Sequence, residues 1–140
     1  MRVFVPGESA IAVTEGIIGA AYHVANALGA GFLEKVYENA LAIELRKRGH
    51  AVEQQRSLAV RYEAEIVGVY QADLVVDGHV IVEVKAVVRL DHSHRAQCLN
   101  YLRATGMTTG LVVNFGNPRV EVRRVVSYSD ANLLNTDKHR

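Results

Sequence analysis

One cysteine, Cys98, is all the chain carries in 140 residues. No internal disulfide can therefore form, and a reducing, cytoplasmic setting is expected. Aromatics make up 6% of the sequence and are scattered, so a row of base-stacking platforms is not indicated. Charge of one sign is also missing: 16 basic and 15 acidic residues leave a formal net charge of +1. Domains that hold nucleic acid by bulk charge are strongly basic, so any such contact must rest on local clustering. Long apolar runs are interrupted as well. Ser9 to Ala30 is the most membrane-like segment, but Glu15 interrupts it and no stretch near the ~18 uncharged apolar residues of a span is expected. Glu8 and Glu15 sit where the apolar centre of a secretory signal belongs, and the segment reads as a packed helix with no membrane partner. The six histidines form no transition-metal cage, since His92 and His94 diverge on a helix and Cys98 stands alone.

What is present fits a single domain over residues 1–140, with a core of about 9–126 and a polar tail from 127 onward that is expected to fray. A chain of this size can bury about two thirds of its unfolded surface. Periodicity and punctuation predict helices over Ser9 to Leu28 and Phe32 to Arg48, the second stopped by Gly49. Val52 to Tyr62, Ile66 to Val76 and His79 to Val87 read as strands of an antiparallel meander. A third helix, Ser93 to Thr105, is capped by Asp91 or Ser93 and stopped by Gly106. Strands Thr109 to Phe115 and Val120 to Val126 follow, joined at Gly116-Asn117-Pro118.

The chemistry concentrates in the strands. In His79 to Ala86 the even positions are apolar, which puts Glu83 and Lys85 together on the other face. Strands rarely carry such residues within so hydrophobic a stretch. A hard cation such as Mg2+ takes one or two carboxylates and keeps water and phosphate in its other positions, so Asp73 and Glu83 are candidate ligands for metal-dependent phosphodiester chemistry. Lys85 is placed to steady the attacking water or the charge developing on phosphate. A simple ion pair of Glu83 with Lys85 is the poorer account, because Asp73 leaves uncompensated negative charge.

Whether Asp73 and Glu83 share a face depends on the turn. A two-residue loop of Asp77 and Gly78 would set Asp73 opposite Val82 and the two acids on opposite sides. A three-residue loop of Val76, Asp77 and Gly78, with Gly78 left-handed, sets Val75 opposite His79 and flips the parity. Asp73 would then lie diagonal to Glu83, about 7–8 Å away at the backbone. The second arrangement is the expectation.

These residues resemble the PD-(D/E)XK nuclease superfamily: Asp73, then Glu83-Val84-Lys85, with Ala72 in place of the nominal proline. Leu28-Gly29-Ala30-Gly31-Phe32-Leu33-Glu34-Lys35-Val36-Tyr37 is similar to the motif of the GxxExxY family, a branch of that superfamily. Gly31, Glu34 and Tyr37 match, while Ala30 departs from the proline often seen there. Further matches are Ala72-Asp73-Leu74, Glu83 to Ala86, Gln97 with Tyr101, Leu99 to Leu102 and Val113 to Gly116, so the likeness runs from about Ile17 to Val126.

The resemblance implies an α/β (α+β) fold with a restriction-endonuclease-like core, a central mixed sheet containing the meander and flanked by helices. It implies a nuclease using Mg2+ or Mn2+, held by Asp73, Glu83, the Val84 carbonyl and Glu34. Lys85 and Gln97 complete the catalytic set. Glu34 has a plainer reading, a carboxylate at the positive end of a helix dipole, and Gln97 with Tyr101 also reads as an ordinary half-exposed helix face. Tyr37 is expected to pack, its hydroxyl orienting a neighbour. Arg89, His94, Arg95 and Tyr101 form a candidate nucleic-acid surface beside an alternative reading as a solvated charged face. DNA is the favoured substrate, a homodimer would suit cutting of both strands, and a protein partner could supply specificity. The competing function is a non-catalytic nucleic-acid-binding or protein-interaction module on the same fold.

Overall fold

The protein, seen in a computed structural model, is described over residues 8–127. The polar tail expected beyond Ser127 lies outside the described residues. Three helices, α1 (Glu8–Leu28), α2 (Glu34–Lys47) and α3 (His92–Thr105), pack on a sheet of β1 (Val52–Tyr62), β2 (Glu65–Val76), β3 (Val80–Lys85), β4 (Thr109–Asn114) and β5 (Glu121–Val126). The strands lie in chain order, with β3 and β4 parallel and every other neighbouring pair antiparallel. The one parallel pair is bridged by α3, as a crossover of that kind requires. This is the expected α+β architecture: a mixed sheet, an antiparallel meander and flanking helices.

Two cores form on the two faces of the sheet. On one, Val13, Ile17, Ala20, Ala21 and Val24 of α1 and Tyr37, Leu41, Ala42 and Leu45 of α2 meet Val80, Val82 and Val84 of β3 and Leu111 and Val113 of β4. These helical positions recur every three or four residues, so each helix offers one apolar stripe. The apolar α1, long enough to cross a bilayer over Ala10–Leu28, thus has that stripe buried inside the protein. On the other face, Cys98 and Leu102 of α3 meet Ile81, Val112 and Val125. Period-two alternation in β3 and β4 divides their side chains cleanly between the cores.

The long β1–β2 ribbon does something different. Ala72 and Leu74 are two apart and in a regular strand would share a face, yet Ala72 packs in the α3 core and Leu74 in the α1–α2 core. On β1 the same change of face falls between Val52, which packs with the α1–α2 core, and Leu58, which packs with the α3 core. Between them stands Gln55, left-handed at φ +51 and skipped in a register that pairs Gln54 with Leu74 and Arg56 with Ala72. At Gln55 and Asp73 the ribbon changes sides.

The β2–β3 turn corrects one expectation. The loop is Asp77, Gly78 and His79, not Val76, Asp77 and Gly78, and Val76 pairs with Val80. Gly78 is left-handed as expected, at φ +71, but so is Asp77 at φ +52, and the His79 amide closes the turn onto the Val76 carbonyl at 3.0 Å. Asp77 is drawn into that conformation by the start of β1. Its carboxylate accepts from the Ala51 amide at 2.8 Å and meets His50 Nδ1 at 2.7 Å, while its own amide donates to the Ala51 carbonyl. The register Val76↔Val80, Leu74↔Val82 keeps the expected parity and ends at Leu74, one residue short of Asp73. Val75 pairs with Ile81 and not with His79, so the expected pairing, and the diagonal placement of Asp73 drawn from it, is not borne out.

Candidate active site

Backbone pairing between β2 and β3 stops at Leu74↔Val82. Beyond it the amide of Val84, which a ladder carbonyl would otherwise take, donates to Asp73 Oδ2 at 2.8 Å. The Asp73 amide, for its part, favours the charged form of Glu83, and the Tyr70 hydroxyl of β2 bonds the Glu83 carboxylate. A parted ladder therefore brings both acids together, and each is held by the other's strand.

Glu83 points to the α3 side of β3. Burial is the main influence on it and pushes its pKa up to about 7; the neighbouring Lys85 ammonium and the Asp73 amide oppose this, and Glu38 and Glu34 reinforce it. Asp73 is likewise raised above the usual carboxylate range by burial, against hydrogen bonds from Val84 and Gln55. The phenol of Tyr70, itself 8% exposed, hydrogen-bonds Glu83 Oε1, and its ring stacks on Tyr101 with centroids 3.7 Å apart. Lys85 is half-buried and its charge acts on both acids.

The loop before α2 brings in a further acid. Gly29 and Gly31 take left-handed φ of +74 and +111, a conformation that costs glycine nothing. Tyr37, fully buried, ties this loop down: its hydroxyl donates to the Gly29 carbonyl at 2.6 Å and accepts from the Phe32 amide at 3.2 Å. Its ring stacks on Phe115 at 4.7 Å. Glu34 is thereby fixed at the first residue of α2, where Oε2 accepts from the Ala86 amide at 3.4 Å, at the end of β3. On the far side of that end, the fully buried Asn114 amide bonds the Val87 amide and carbonyl, the Gly116 amide and Glu121. Gly116 is required there, because a Cβ would lie 2.0 Å from the Val87 carbonyl oxygen.

The remaining expected residues are placed as follows. Val84 is buried in β3 between Glu83 and Lys85. Gln97 is on the exposed side of α3, and Arg89 and Arg95 are also exposed. Tyr101 is partly buried and stacks on Tyr70, whose hydroxyl bonds Glu83. His94 is engaged in the α3 cap: its Nδ1 accepts from the Asp91 amide at 3.1 Å while Asp91 accepts from the Ser93 amide. Among the described residues no three His, Cys, Asp or Glu side chains gather into a ligating group.

Three residues near the acids were not anticipated. Glu38, 4% exposed, accepts from Lys35, Gln54 and Gln55, and its charge acts on both Asp73 and Glu83. The signal was available: Glu38 lies one turn from Glu34 and three residues before Leu41, on the apolar stripe of α2. Tyr70 shares a strand face with Ala72 and was legible in the same way. Gln55 carried no signal, since a left-handed glutamine inside a strand has no sequence mark.

Two half-buried carboxylates with further negative charge around them and one lysine on the same strand suit a hard divalent cation, which takes one or two carboxylates and fills its shell with water and phosphate. Asp73 keeps one lone pair free on each oxygen after its two hydrogen bonds. A mixed five-stranded sheet carrying acid, acid and lysine at a parted β-ladder defines a nuclease-like domain. The family model of the PD-(D/E)XK nuclease superfamily matches residues 12–125, and the chain belongs to that superfamily. No curated protein and no solved structure matches it.

Proposed function

We propose that the protein is a metal-dependent nuclease of the GxxExxY kind that hydrolyses phosphodiester bonds, with DNA as the favoured substrate. The observation that carries this reading is the meeting of Asp73 and Glu83 where β2 parts from β3, with Lys85 on the same face. The anchoring of the Glu34 loop by Tyr37 gives the Gly, Glu and Tyr of the motif a common physical purpose.

Asp73 and Glu83, with the Val84 carbonyl, would hold Mg2+ or Mn2+, and Glu34 would assist from the end of α2. The bound ion would polarise the phosphate and lower the pKa of a water. Lys85 is the cation for the attacking water and for charge developing on the phosphate. Glu83 must lose its proton to serve, and Lys85 favours that loss. Gln97 is assigned to the approaching strand from its exposed position on α3, with Arg89 and Arg95 as phosphate contacts. A cytoplasmic setting accords with the one free thiol.

Cleavage of labelled single- and double-stranded DNA and RNA with Mg2+ or Mn2+ tests this, with chelator, Asp73→Asn and Lys85→Ala as controls. Metal-dependent cutting that both substitutions abolish is expected. No cutting of any substrate, with no metal binding by calorimetry, would leave the binding-module reading in its place.

A further inference from the structure

Gln55 is an unusual residue in its place. It interrupts β1 with a left-handed backbone, φ +51, a region that residues other than glycine, asparagine and aspartate rarely enter. Such outliers persist where the surrounding structure holds them, and they cluster at functional sites. The two hydrogens of its amide are both committed. Nε2 donates to Glu38 Oε1 at 2.9 Å and to Asp73 Oδ1 at 3.1 Å. A neutral side chain thus stands between two carboxylates, and the charge of Glu38 helps to raise the proton affinity of Asp73.

The two acids are not equivalent. Glu38 is saturated on its other oxygen, where Oε2 accepts from the Lys35 ammonium at 3.0 Å and from Gln54 at 2.9 Å, so its charge is answered and its position fixed. Asp73 has one donor on each oxygen, Gln55 on Oδ1 and the Val84 amide on Oδ2, and keeps a lone pair free on both. Force therefore passes from an anchored Glu38 through Gln55 to an Asp73 still able to bind.

We propose that Gln55 is a positioning residue which clasps Asp73 to the buried Glu38, orienting the Asp73 carboxylate toward Glu83 and Lys85. The inference rests on the nuclease reading, with Asp73 as a metal ligand. The left-handed turn of β1 is what aims the amide at Asp73, and Glu38 serves as its anchor. Partners that orient a ligand in this way typically change metal affinity about 10–100-fold when removed.

The test separates positioning from stability. Gln55→Gly takes the left-handed conformation without cost and deletes the amide, and Gln55→Asn tolerates the backbone but is one methylene too short to span both acids. Relief of the left-handed strain offsets part of the loss of the donor to Glu38, so both variants should melt within a few degrees of the wild type. In metal-free protein, hydrogen exchange at the Val84 amide should speed up, because its acceptor Asp73 is no longer held. Mn2+ affinity by calorimetry should fall about tenfold. Gln55→Glu, isosteric but without donors, should not restore either property. Wild-type Val84 exchange in both Gln55→Gly and Gln55→Asn would overturn the proposal, as would a drop in melting temperature that accounts for the whole change. Failure of the wild type itself to bind Mn2+ would count against the nuclease reading, and the Val84 exchange would still decide the clasp.

Discussion

Tyr70 and Glu83 lie on neighbouring strands and are joined through the phenol hydroxyl, while the Tyr70 ring lies flat against Tyr101 of α3. The hydroxyl is thus directed at the acid that burial has made hardest to ionise. A donor to a carboxylate favours the anion. Tyr70→Phe keeps the stack and removes the donor, so the Glu83 proton should be held more tightly. The pH at which cleavage reaches half its maximum should move upward by about one to two units, a hydrogen bond to a charged group being worth about 1.5–3 kcal/mol. A pH–rate profile of the variant checks the shift, and an unchanged profile would remove Tyr70 from any part in the ionisation of Glu83.

The same acid sets a pH dependence of stability. Glu83 has a folded pKa of about 7 against an ordinary value of 4.5, so the folded state binds the proton more tightly than the unfolded chain does. Its contribution is full below 4.5 and is lost as pH rises to about 7. The loss is on the order of 2–3 kcal/mol. Metal-free wild type should therefore lose stability relative to Glu83→Gln between pH 5 and pH 8, by chemical denaturation across that window. Mn2+ should stabilise the wild type increasingly as pH rises, since the ligands must be deprotonated to bind, and should not do so for the variant.

Tyr37→Phe removes one hydroxyl from a fully buried ring and leaves its stack on Phe115 intact. The Gly29 carbonyl and the Phe32 amide lose their partner. The expected cost is about 1–2 kcal/mol, measured by urea denaturation. Because the freed loop leads into Glu34, cleavage should fall by more than the loss of folded protein explains.

The approach of β4 to α3 is close enough to be tested by a pair of substitutions. A Cβ on Gly110 would lie 2.7 Å from Cys98 Sγ, with the next contacts at 3.5 and 3.6 Å. Gly110→Ala should cost roughly 1–3 kcal/mol through overpacking. Cys98→Ala in the same chain should recover much of that, a coupling that a double-mutant cycle reads directly. The wild-type thiol, pushed up to about 12 chiefly by burial, should resist alkylation at pH 8 until the protein unfolds.

Much of this was legible because hydrophobic period carries over into burial. Val80, Val82 and Val84 alternate with Ile81, Glu83 and Lys85, and β3 is divided between the cores in that pattern. The glycines at 29, 31, 49 and 106 mark the helix ends as read. The hairpin was legible only in parity. Asp77-Gly78 announces a turn, but where pairing resumes is decided by the grip of Ala51 and His50 on Asp77, a contact across 26 residues of chain. Glu38 was passed over because a glutamate on a helix is ordinarily solvated; it is buried here because Lys35, Gln54 and Gln55 satisfy it. Gln55 was invisible because its conformation is imposed by two strands changing sides together, and no local residue type encodes that.

That change of sides has a consequence for what variation the chain can accept. Ala72 belongs to one core and Leu74 to the other, with Asp73 at the crossing. Between Gln55 and Glu83, spacing is therefore worth more than identity. An inserted or deleted residue beside Asp73 would exchange the neighbours of every side chain as far as the next turn and point one of the two acids away from the other. At the tip of the ribbon, where Glu63 and Ala64 make a tight turn far along the chain from both acids, the same edit would only lengthen a loop. Tolerance to length, rather than to substitution, should trace the outline of the site.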